Sequence, residues 1–200
     1  MNVTGTPPYT ELTRGLLRER ILDVVGQLLR DRSWAQVTMA EVAGQTGVSR
    51  QTVYNAFGSR SELAGAYVGR EADRFLDAVD SAVRTNAADP RQALTAAVRI
   101  FLTAAGEHPL VRAITSRDGG EELLPLVTTR GGPLVDHVTE HLTDLLVETW
   151  PSVARADAAP FADALVRLAI SYAALPAGEP AETAVAIARI LGPRIDELLG

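Results

Sequence analysis

The chain has 200 residues, 46% of them apolar, enough for a packed core of one large or two small domains. It has no Cys, which removes disulfides, thiolate metal sites and cysteine nucleophiles. Net charge is −6, yet residues 1–70 carry eight Arg against six acids (+2) and residues 71–200 carry eleven Arg against nineteen acids (−8). A local basic end is all that phosphate attraction needs.

Residues 1–12 lack a basic start and an apolar run, so they read as a loose tail and not as a signal peptide. No apolar run reaches spanning length, and no membrane partner is expected. A first helix is predicted from Thr13 to Asp31, striped by Leu17, Ile21, Val24, Val25, Leu28 and Leu29. Arg14, Arg18 and Arg20 are candidates for backbone phosphates or for plain solvated surface. Trp34 should pack where this helix meets the next two.

The segment from Thr38 to Phe57 reads as two short helices around a tight turn. Thr38 suits an N-cap, and Met39, Val42 and Ala43 share a face. Gly47 provides the turn, and Ser49 caps a second helix from Arg50 to Phe57. Small Ala43, turn-forming Gly47 and β-branched Val53 stand where a helix-turn-helix needs them. The second helix then leaves Arg50, Gln51, Thr52 and Asn55 outward. Arg can grip guanine, and Gln or Asn adenine, through paired hydrogen bonds in the major groove. Taken alone, this spacing also fits an ordinary αα-hairpin.

The residues after Phe57 narrow the choice. Val42-Ala43, Gly47-Val48-Ser49, Tyr54, Phe57 and Arg60-Ser61-Glu62-Leu63 together resemble the TetR family of bacterial transcriptional regulators. The close resemblance covers about residues 16–65. It implies Thr38, Tyr54 and Arg60 as phosphate contacts, though the family commonly has Lys at the last. It also implies that the fourth helix is a lever between ligand and DNA. Ser49, Arg50, Gln51, Thr52 and Asn55 complete the DNA-facing set.

That fourth helix, capped by Ser59 or Ser61, is predicted to run to about Arg84. Asp89-Pro90 opens a fifth, which stops near His108-Pro109. Short helices are expected at 110–114 and 121–129, and longer ones from Pro133 to Trp150, Ala156 to Ala174 and Pro180 to Leu199. The last two are apolar on more than one face, which suggests an intersubunit four-helix bundle.

Phe75, Val79, Val98, Phe101, Leu126 and Val138 are candidate walls of a pocket for a largely apolar ligand with one polar group. His108, Arg112 and Arg117 are candidates to meet that group, or plain surface-loop and helix-end residues. His137 and His141, four apart, can share a metal, line the cavity or lie on the surface. Without a third convincing ligand no metal or other cofactor is expected. Gly119-Gly120 and Gly131-Gly132 do not match phosphate-loop spacing, and no catalytic set is apparent.

The expectation is an all-α protein of about nine or ten helices. Residues 1–58 would form the DNA-binding domain (helix-turn-helix 38–57), and 59–200 the ligand-binding and dimerisation domain. Its partners would be a palindromic operator, a small apolar effector and a second copy of itself, in the cytoplasm. A helix-turn-helix interaction protein without effector, or an all-α enzyme, are the alternatives.

Overall fold

The computed structural model describes residues 9–107 and 132–200, with the side chains of 9–11 set aside. Among these residues there are eight α-helices and one 3-10 turn, with no strand: α1 (Tyr9–Leu28), the turn Trp34–Gln36, α2 (Met39–Thr46), α3 (Arg50–Phe57), α4 (Arg60–Thr85), α5 (Pro90–Glu107), α6 (Gly132–Thr149), α7 (Arg155–Ala174) and α8 (Pro180–Leu199). The chain is all-α as expected. The count falls below nine or ten because the short helices expected at 110–114 and 121–129 lie outside the described residues, as do His108, Arg112, Arg117 and Leu126.

The main boundary error is at α1, which begins at Tyr9 and not Thr13. The polarity of residues 9–12, with no apolar stripe, hid the start of this helix. The same helix closes early, because Arg30 and Asp31 donate to the carbonyls of Gln27 and Leu28, three residues back.

Side-chain caps fix the other starts. The hydroxyls of Thr38, Ser49 and Ser59 accept from the amides of Glu41, Thr52 and Glu62, each three residues on. Asp89 does the same for Gln92 at the head of α5. Each satisfies a donor that the helix itself leaves orphaned.

Two cores share α4. The first gathers Ile21, Val25, Trp34, Val42, Val53 and Phe57 with Leu63, Ala64, Tyr67 and Val68. The other, in two adjoining clusters, gathers α5–α8 around Leu94, Leu146, Phe161 and Ile187, with Val79 and Val83 of α4 against Ala97 and Leu145. α4 therefore completes the helix-turn-helix core with its first turns and enters the second domain with its last. Trp34, 1% exposed, is a core residue of the first domain.

α4 and α6 run side by side in the same direction, as their cross-links show. Asp73 meets His137, Asp80 meets His141 and Arg84 meets Glu148, each at 2.8 Å.

Candidate nucleic-acid interface and ligand cavity

α2 and α3 are held at their crossing by three side chains with no exposure at all, Val42, Ala43 and Val53. Gly47 ends α2 in the left-handed conformation (φ 80°, ψ 29°). Its amide and that of Val48 both donate to the Ala43 carbonyl at 3.0 Å, so the turn satisfies the end of α2 while it redirects the chain. With Val53 and Phe57 buried, the opposite side of α3 has to face solvent.

That side carries Arg50, Gln51, Tyr54 and Asn55, all exposed, with Thr52 half-buried at the edge. Gln51 Nε2 donates to Asn55 Oδ1 at 2.8 Å. The two amides thus form one unit, leaving the Gln51 carbonyl free to accept and the Asn55 amide free to donate. Ser49 Oγ lies 2.8 Å from Thr52 Oγ1 and accepts from the Thr52 amide, so both hydroxyls are oriented from within the helix.

The arginines divide into two groups. Arg14 and Arg50 are exposed and have no side-chain partner among the described residues. Arg18, Arg20 and Arg60 point inward to carbonyls at the ends of short elements. Arg18 donates to Ala56 near the end of α3 and sits over the Phe57 ring, 4.2 Å from its centre. Arg20 Nε donates to Thr46 at the end of α2. Arg60 donates to Trp34 and Val37 and sits over the Trp34 ring. A cation at a helix C-terminus meets the negative end of the dipole. For Arg60 this is a different job from the phosphate contact that the resemblance implies, and the arginine fork suits it better than lysine does.

Behind the interface, a polar knot ties α1 to α4. Glu71 is 4% exposed and accepts from Arg70 and Arg74. Arg70 also reaches the Glu19 carbonyl and, at 2.8 Å, Asp23. Tyr67 is buried beside it, and that burial, reinforced by Glu71, raises the phenol well above its ordinary value of 10.0. A charged residue between Val68 and Ala72 on an apolar stripe was the sequence signal for this knot.

In the second domain, α4–α7, Trp150 and Ile195 line a cavity of about 210 Å³. Phe75, Val79, Val98, Phe101 and Val138 all line it, and Phe75 and Phe101 meet edge-on with ring centres 5.9 Å apart. His137 and His141 do not line it. They turn to Asp73 and Asp80 on α4, because the helical period that sends Leu134, Val138 and Leu142 inward rotates them away. Among the described residues no group of three or more ligating side chains is placed to hold a metal.

Two family models match this chain: the bacterial regulatory proteins of the tetR family over residues 21–67, and the tetracyclin repressor C-terminal domain over residues 89–193. The chain belongs to the TetR family. This regulator is 35% identical to the HTH-type transcriptional regulator AlkX of Mycobacterium tuberculosis over 93% of its own length and 88% of that protein's. Over 48% of its length, and 44% of the relative's, it is 36% identical to FasR of Mycolicibacterium smegmatis, a transcriptional activator. A solved structure of the repressor AlkX from a Dietzia species, a protein implicated in biodegradation of n-alkanes, superposes with a TM-score of 0.81. The identity there is 32%, covering 92% of this chain and 97% of that one. The TetR-family regulator described here is thus a DNA-binding transcription factor and not an enzyme. No helix among its described residues is long and apolar enough to cross a membrane.

Proposed function

We propose that this regulator represses transcription as a homodimer on a roughly palindromic operator, and that a small apolar ligand releases it. The observation that carries the reading is α4, which both completes the helix-turn-helix core and walls the cavity. A ligand that fits the cavity better in one position of α4 shifts the population toward that position. Coupling to DNA is then reciprocal: operator and ligand weaken each other by the same factor.

Two copies of α3 enter successive major grooves. Arg50, Gln51, Thr52 and Asn55 present donors and acceptors to base edges, while Thr38, Ser49, Tyr54 and Arg14 position the backbone phosphates. Exposed Leu175, Val185 and Ile190, with half-buried Leu168, supply the apolar face through which α7 and α8 meet their copies. A DNA-binding regulator of this kind works in the cytoplasm.

The test is a binding titration on DNA flanking the protein's own gene. Specific binding at low salt by a dimer, weakened by an apolar ligand, supports the reading. Absence of binding to every fragment sinks it.

A further inference from the structure

We infer that the cavity is built for an unbranched, uncharged hydrocarbon chain, and that it reads chain length. The inference rests on the ligand-release reading above and gives its ligand a chemical class.

Shape is the first argument. Lining residues run along α4 from Val68 to Val83 and along α6 from Leu134 to Leu146. At 1.5 Å per residue these stretches span about 22 Å and about 18 Å. The apolar lining therefore follows the cavity for about three to four helical turns, a length that an extended chain can lie along and a compact ring system cannot fill. Small side chains at Ala72, Ala93, Ala97 and Ala169 keep the cavity open.

Chemistry is the second. Every lining side chain among the described residues is apolar apart from the indole of Trp150, and that N–H already donates to the Ala87 carbonyl at 2.9 Å. Among the described lining residues a carboxylate or phosphate would lose its water and meet no free donor or cation. A methylene loses nothing polar, and each one buried raises affinity about fourfold.

Position is the third. The far wall, Val68, belongs to the core of the DNA-binding domain, whereas Val79 and Val83 belong to the core of the second. A short chain fills only part of the bore. A long one lies against both cores at once, so length decides how strongly the ligand bears on α4.

The test uses the full chain with n-octane, n-dodecane, n-hexadecane, hexadecanoate and pyrene, each delivered from cyclodextrin. Binding is read by native mass spectrometry and by the rise in Tm. Affinity should climb from octane to hexadecane, and hexadecanoate and pyrene should bind at least tenfold more weakly than hexadecane. Tighter binding of hexadecanoate, or no dependence on length, overturns the inference. Ala97→Phe and Ala169→Phe, which obstruct the bore from different helices, should each weaken hexadecane binding tenfold or more; unchanged affinity in both overturns it. Hexadecane that binds without altering DNA affinity upholds the ligand class and refutes ligand release. Failure of every alkane to bind a protein that still binds DNA refutes the ligand class alone.

Discussion

The guanidinium of Arg60 sits over the indole of Trp34, 4.8 Å from the ring centre, while its Nε donates to the Val37 carbonyl at 3.0 Å. The first residue of α4 is thereby fastened to the turn that precedes α2. Arg60→Ala should cost about 2 kcal/mol, the range for hydrogen bonds made by a charged group. Urea unfolding should show a lower midpoint with an unchanged m-value. The slope of log K for DNA against log salt should stay the same. A fall of about 0.9 in that slope would mean that Arg60 contacts a phosphate after all.

Glu71 tests the knot between α1 and α4. Its carboxylate is nearly buried between Arg70 and Arg74, so Glu71→Ala leaves Arg70, itself only 10% exposed, without its one buried counter-charge among the described residues. Removing one partner of a buried pair costs about 3 kcal/mol or more. A loss below about 1 kcal/mol in chemical denaturation would show that water reaches the cluster freely.

An alkaline limb of stability should trace to Tyr67. Its folded pKa is raised, so the unfolded chain releases this proton first as pH climbs. Stability is therefore complete below about pH 10 and falls above it by about 1.4 kcal/mol per pH unit until the folded phenol titrates too. The chain has no Lys and no Cys, so few other groups titrate in that window. Tyr67→Phe should flatten the limb in urea titrations between about pH 9 and 11. An equally steep limb in the variant would assign it elsewhere.

Gln51 and Asn55 should act on DNA as a unit. Their mutual hydrogen bond means that Gln51→Ala also frees the Asn55 amide. In a double-mutant cycle on operator DNA the two alanine changes should be non-additive by about 0.5–1.5 kcal/mol. Each alone should relax preference at its base pair by about 1–3 kcal/mol. Strict additivity would show that the bond is exchanged for base contacts on binding.

Ile190 is 65% exposed and Val185 51%, both on α8. Ile190→Arg should convert dimer to monomer in sedimentation equilibrium and, with it, lose tight operator binding. A variant that remains a dimer would move the interface off this face.

Local rules made much of this molecule legible in its residues. Caps at Thr38, Ser49, Ser59 and Asp89, the glycine turn at Gly47 and the apolar stripes all depend on contacts a few residues apart, and so the helices could be placed. Five of the expected pocket residues line the cavity for the same reason, since helical period fixes which side faces in. What stayed hidden were long-range polar pairings. Nothing in the spacing of Arg18, Arg20 and Arg60 says that they turn onto the carbonyls of Ala56, Thr46 and Val37, up to 38 residues away. His137 and His141 suggested each other by their spacing, but their partners are Asp73 and Asp80 on another helix.

Leu63, Ala64, Tyr67 and Val68 lie in the same packed cluster as Trp34 and Val53. Regulators assembled from parts of different relatives must respect that continuity. A graft joined between Phe57 and Arg60 would pair one parent's helix-turn-helix with the other parent's α4, so the buried surfaces would meet as strangers. A graft joined beyond Val68 carries the whole first core intact and leaves the cavity wall mostly to the recipient. DNA specificity is therefore transferable between such proteins only together with the opening two and a half turns of the lever.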